Sequence, residues 1–134
     1  MRTVTRSQNH IGEWKVTIHA DSVEEIFEAG ARLIARDAGP VDGGPGEWET
    51  LEIQGAGRTT LLADWLNEML ARSEIAGRAF DEFRNLHVEE GRVRAKIRGR
   101  KVREWRSAVK AATYHGLELT ERHGRWRAVV IFDV

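Results

Sequence analysis

The sequence predicts an α+β fold: a mostly antiparallel β-sheet, or pair of sheets, with two main helices packed on one side, in a single domain. Three observations predict it. Two segments, 22–36 and 59–72, carry apolar residues at three- and four-residue spacing and read as amphipathic helices. From residue 80 onward apolar residues recur at every second position, in two pairs of runs that each close on a glycine turn, which reads as hairpins. A chain of 134 residues, 41% hydrophobic and 31% charged, suits one globular domain with one buried core.

Residues 1–9 read as a flexible leader and 10–134 as the domain. WKVTIHA (14–20) alternates, with Trp14, Val16 and Ile18 on one face, and predicts a strand. DSVEEIF opens the first helix: Ser22 stands three residues before Glu25, the spacing of a capping box. Val23, Ile26, Phe27, Ala31, Leu33 and Ile34 give it an apolar face to about Arg36. Gly39, Pro40, Gly43, Gly44, Pro45 and Gly46 predict a turn-rich loop without a regular element. WETLEIQ (48–54) predicts a strand. Between Thr59 and about Arg72, Leu61, Leu62, Trp65, Leu66, Met69 and Leu70 form the cleanest apolar stripe, so Trp65 reads as a packing residue. Residues 80–90 and 92–98 predict strands about Gly91; in the second, Val93, Ala95 and Ile97 face one way and Arg92, Arg94, Lys96 and Arg98 the other. Residues 100–112 read as a short helix or a loop. The final hairpin pairs 114–121 with 126–134.

The formal net charge of zero conceals segregation. From Arg92 to Lys110 there are nine Lys/Arg and one acid, Glu104, so that segment carries +8 and the remainder −8. Two readings are open: the solvated face of a strand and loop, or a stripe that attracts a phosphate backbone.

Several chemistries are excluded. No cysteine is present, hence no disulfide, thiolate metal site or thiol nucleophile. GPVDGGPG lacks the Lys-Ser/Thr of a phosphate loop, no His-x-x-x-His pair occurs, and no GxSxG turn occurs. The five histidines, at 10, 19, 87, 115 and 123, have no zinc-ligand spacing. No apolar run approaches a membrane span, and MRTVTRSQNH lacks the apolar core of a secretory signal, so a cytoplasmic location with no membrane partner is expected.

The chain's last residues are more suggestive. Asp133 and a terminal carboxylate on Val134 lie close in any conformation and repel, and a divalent cation relieves that repulsion. All-oxygen donors favour Ca²⁺, Mg²⁺ or Mn²⁺ over zinc or copper. Glu13, at the head of the first predicted strand, is the candidate third acid. The other reading is a solubilising acidic end.

Four stretches then carry a resemblance. VKAATYHGLELTERHGRWRAVVIFDV, from Val109, resembles the C-terminal "KAVTYH…W…VIFDV" signature of the archease family. HIGEWKV (10–16) resembles its "HTAD" opening strand, SVEEIFEAGAR (22–32) its first helix, and LLADWLNEML (61–70) its "LLVDWLNELL" helix. The resemblance implies a protein cofactor rather than a stand-alone enzyme. Archeases assist the tRNA-splicing RNA ligase that joins a 2′,3′-cyclic phosphate or 3′-phosphate end to a 5′-hydroxyl, promoting guanylylation of the ligase histidine and repeated turnover. The family's divalent metal maps by position onto Glu13, Asp133 and Val134. Lys110 matches the lysine of the terminal motif and is the catalytic candidate; His10 and His115 match the histidines of the two motifs. The chain departs from the pattern where Glu13 replaces Asp and Ile11-Gly12 replaces Thr-Ala. GAGRTT stands where the family usually has acids, and Arg103 near where it often has His. The extra methylene moves the Glu13 carboxylate by about 1.5 Å, a shift Ca²⁺ geometry absorbs better than Mg²⁺.

The resulting expectation is an accessory factor that activates an RNA ligase of the 3′-phosphate/5′-hydroxyl joining type through a bound divalent ion, Ca²⁺ ahead of Mg²⁺ or Mn²⁺, with the basic segment 92–110 facing ligase or RNA. Against it stand a chaperone-like or protein-binding module on the same fold with the metal function lost, and a small metal-dependent phosphoesterase using a base such as His115.

Overall fold

The computed structural model describes residues 2–8 and 10–134. In chain order the elements are β1 (Thr3–Gln8), β2 (Glu13–Ala20), α1 (Val23–Asp37), β3 (Val41–Asp42), β4 (Glu49–Gln54), α2 (Arg58–Ala76), β5 (Arg78–Val88), β6 (Arg92–Val102), β7 (Ala111–Arg122) and β8 (Arg125–Asp133). The predicted α+β class, with two helices and antiparallel sheets, is the class observed. One sheet has the order β1-β2-β8-β7. In the other, β6 is central, paired with β3 and β4 along one edge and with β5 along the other.

Local chemistry accounts for the helix limits. The Ser22 hydroxyl accepts from the Glu25 N–H at 3.2 Å, the first half of the expected capping box. Glu24 and Glu25 then sit in the first turn of α1 and Arg36 in its last, as the helix dipole prefers. α2 has no side-chain cap at Gly57 and relies on burial of its stripe: Leu61, Leu62, Trp65, Leu66 and Met69 are each at most 1% exposed.

Both helices pack against the sheets and, beside a smaller cluster of Ala35, Ala38, Ala79 and Val102, share the main apolar core. Val16 and Ile18 of β2, Ile26 and Phe27 of α1, Val93 and Ile97 of β6, and Ala128, Val130 and Phe132 of β8 meet the α2 stripe there. Trp65 is the packing residue its periodicity predicts. Its ring lies 6.1 Å from Phe27 and 6.2 Å from Phe83, and its indole N–H donates to the Phe27 carbonyl at 2.9 Å, so its one polar atom is satisfied.

Two local expectations are corrected and one is decided. The leader expected over residues 1–9 gives way to a strand: Thr3–Gln8 pair in register with His19–Trp14, although Met1 and Asn9 lie outside the described residues. All six residues of β1 are exposed, so this edge strand carries no apolar alternation by which to read it. Of the short helix or loop expected over 100–112, the loop is found at 103–110, bonded through its main chain to Ala38 and Pro40 just after α1, while β6 runs on to Val102 and β7 begins at Ala111. The glycine-rich loop contains a two-residue bridge, Val41 and Asp42 against Val102 and Lys101. Among the described residues no helix is long and apolar enough to cross a membrane.

Candidate functional site

Antiparallel pairing brings the acids together. β8 lies between β2 and β7, and Asp133 is the register partner of Glu13 on one side and Ala111 on the other. Directly opposed residues on neighbouring strands point to the same face, with Cβ atoms roughly 4.5–5.5 Å apart. Trp14 and Phe132, one step along, face the core, so Glu13 and Asp133 face away from it. Glu13 is half-buried and Asp133 exposed. Like charges placed directly opposite are destabilising unless a cation offsets them. Lys15 lies two residues along β2 on the same face.

Main-chain bonds fix the surrounding segments. The Val134 N–H donates to the Gly12 carbonyl at 2.9 Å, the Glu13 N–H to the His10 carbonyl at 3.0 Å, and the Lys110 N–H to the Asp133 carbonyl at 2.7 Å. Gly12 has φ +83°, a left-handed conformation that favours glycine in the turn before β2. The side chain of Val134 packs on the edge of the core. Thus Glu13, Asp133, Val134 and the backbone of Lys110 occupy one end of one sheet, with His10 in the adjoining turn. His115 is not among them. It lies four residues from Ala111, inside the irregularity where β7 leaves its register between Thr113 and Glu118.

The donor set suits a hard cation in kind: two carboxylates and the main-chain carbonyl of Val134, all oxygen. It is incomplete by itself, since no group of three or more His, Cys, Asp or Glu among the described residues could hold a metal ion. Ligands from water or a partner's phosphate would have to fill the remaining positions.

Lys110 is positioned by side chains that sequence reasoning passed over. The Asp37 carboxylate, at the end of α1, accepts from the Ser107 hydroxyl (3.1 Å) and from the N–H groups of Ala108 (3.0 Å) and Val109 (3.3 Å). Next to it the chain passes so close that a Cβ on Gly39 would lie 2.2 Å from the Glu104 carbonyl. On the other side, the Asn67 amide of α2 donates to the Ala112 carbonyl at 2.9 Å and accepts from the Ala112 N–H at 2.8 Å. β7 is an edge strand there, and Asn67 supplies the hydrogen bonds a further strand would make. One turn earlier on α2, Asp64 accepts from the Tyr114 hydroxyl, and that bond, with lesser help from burial, raises the phenol above its usual pKa. The available signal was the spacing Asp64–Asn67, i and i+3 on one flank of the apolar stripe. Between α2 and the 103–110 segment lies a cleft of about 400 Å³ lined by Glu74, Trp105, Ser107 and Lys110 among others. Lys110 itself is exposed.

Comparison with known proteins follows the same outline. The sequence profile of the Archease protein family matches residues 6–134. The chain is 31% identical to protein archease of Methanopyrus kandleri over 93% of its own length and 95% of that protein. It is 29% identical to protein archease of Pyrococcus abyssi over 93% and 94%. The solution structure of Methanobacterium thermoautotrophicum protein 1598 superposes with TM-score 0.71 at 23% identity, covering 99% of this chain and 98% of that one. The crystal structure of a Thermotoga maritima archease, described as a possible chaperone, gives TM-score 0.67 at 20% identity with 97% of each chain covered. At these identities the structures speak to the fold alone.

Proposed function

The chain belongs to the archease family, and from that premise we propose that it is an accessory factor that activates an RNA ligase joining 3′-phosphate or 2′,3′-cyclic phosphate ends to 5′-hydroxyl ends. The observation that carries the reading is the register of β2, β8 and β7, which sets Glu13 against Asp133 and ties Lys110 to the Asp133 carbonyl. Glu13, Asp133 and Val134 would hold a hard divalent ion, Ca²⁺ by preference because its coordination tolerates the longer Glu13 arm. When bound, such an ion supplies charge neutralisation between the carboxylates and phosphate oxygens. The exposed Lys110 ammonium offers a point charge for a phosphate at the same end of the sheet. Family members promote guanylylation of the ligase histidine, a phosphoryl-transfer chemistry in which positioning and charge stabilisation dominate. The test is guanylylation and multiple-turnover ligation by a cognate ligase with and without this protein. Stimulation that is lost in Glu13→Ala and Asp133→Ala supports the reading; no change in either rate on adding the wild-type protein refutes it.

A second reading is favoured by the sparse donor set: a chaperone-like or protein-binding module on the same fold that works without metal. It predicts that the same two substitutions leave activity and Ca²⁺-dependent stability unaltered.

A further inference from the structure

The outer face of the second sheet differs from the rest of the surface. Strand alternation places three rows of side chains there: Arg98 and Glu82; Thr50, Lys96 and Arg84; Glu52, Arg94 and His87, with Trp48, just before β4, against Arg98. Val93, Ala95 and Ile97 lie beneath, in the core. Arg98 is committed on this face, bonded through Nε and Nη2 to the Glu82 carboxylate at 3.2 and 3.0 Å. Arg84, Arg94 and Lys96 are exposed, and none of them ion-pairs with a carboxylate among the described residues.

Two features make the face rigid and shaped rather than merely charged. The guanidinium groups of Arg84 and Arg98 each lie 4.4 Å from the Trp48 ring centroid, cation–π contacts that fix both cations against the sheet. β5 loses register between Arg84 and His87, with Asn85 at φ +54°, and this irregularity opens a groove of about 270 Å³ lined by Asn85, His87, Arg94 and Lys96.

We infer that this β4–β6–β5 face binds the phosphodiester backbone of a single-stranded RNA, without reading its sequence, with Arg84, Arg94 and Lys96 as the phosphate contacts. Charge complementarity selects a polyanion. The nucleic acid backbone is favoured over an acidic protein because the face has no exposed apolar anchor of the kind that centres protein interfaces, its one aromatic being covered by arginines. Bases can instead stack on the arginine guanidinium groups of this face. The inference rests on the proposed function only for the choice of RNA, and it moves the expected contact from the whole segment 92–110 to a defined face.

The test is fluorescence polarisation of a labelled oligouridylate with the purified protein and no ligase, from 50 to 200 mM salt. Three phosphate contacts predict a slope near −2 in log K against log[salt], a loss of about 20-fold across that range. The triple substitution Arg84→Gln, Arg94→Gln, Lys96→Gln should weaken binding at least tenfold at 50 mM and flatten the slope. The charge-retaining set Arg84→Lys, Arg94→Lys, Lys96→Arg should stay within about threefold of wild type. An unchanged slope in the glutamine variant overturns the inference, as does polyglutamate competing as well as RNA at equal charge. If the glutamine variant does not fold, hydrogen exchange of the wild type decides: RNA should protect residues 84–98, and protection confined elsewhere refutes the assignment. Because no ligase is present, failure here leaves ligase activation standing, and failure of ligase activation leaves this binding untouched.

Discussion

Asn67→Ala isolates the contact that closes the free edge of β7. The amide makes two hydrogen bonds to the main chain of Ala112, at 2.9 and 2.8 Å, and Ala112 is only 2% exposed. Truncation leaves one N–H and one C=O without partners in a place that water reaches poorly. Each such group costs about 1–3 kcal/mol, so the pair should lower stability by about 2–4 kcal/mol. For a chain of this size that is a fall in Tm of roughly 8–15 °C. Urea unfolding followed by far-UV circular dichroism gives the free energy, with an unchanged m-value expected if only stability changes. Thr60→Ala is the control: its hydroxyl bonds the Gly57 carbonyl at 3.1 Å but is exposed, and its loss should cost below about 1 kcal/mol. Ala112 is two residues from Lys110, so ligase stimulation by the Asn67 variant should also fall at temperatures well below its Tm. A destabilisation under about 0.5 kcal/mol would refute the reasoning, because it would mean that water or backbone shift satisfies Ala112 as well as the amide does.

Other outcomes follow from the same geometry. Titrating Ca²⁺ should raise the Tm of the wild type, with about 2.7 kcal/mol gained at a hundredfold excess over Kd, and should leave Glu13→Ala and Asp133→Ala unmoved; a rise in those variants removes the carboxylates from the site. The tyrosinate absorbance of Tyr114 should titrate above the ordinary value of 10.0, and Asp64→Asn should bring it back down. Since the folded pKa is the raised one, this bond's stabilisation is full below pH 10 and fades as pH rises through the folded value; stability of wild type relative to Asp64→Asn that grows at high pH would contradict it.

The legible parts of this fold are those where burial imposes a period. The α2 stripe is fully buried and its alternative faces are polar, so its helical identity could be read directly, Trp65 included. β6 alternates buried and exposed along most of its length and was equally plain. β1 was not, because an edge strand with six exposed residues buries nothing and so shows no period. Residues 103–110 offered a basic run that could have been helix or loop; the side chain that settles the matter, Asp37, is 70 positions earlier in the chain from Ser107. A contact so distant in sequence leaves no local trace.

The site divides along the same line. Glu13, Asp133 and Val134 were candidates because of their motif positions, and antiparallel register then brings Glu13 to Asp133. Asp37 and Asn67 hold no such motif position: one sits at a helix end and the other on the polar flank of a stripe. Yet these two fix where Lys110 can be, since one holds the main chain at Ala108 and Val109 and the other at Ala112. Lys110 is long and flexible, and a phosphate contact from such a side chain is precise only if its backbone does not move. The two helices therefore do more than fill the space beside the sheets. Each extends one polar side chain to the segment that carries the lysine, and the apolar core that immobilises the helices transmits that rigidity to the exposed end of the sheet.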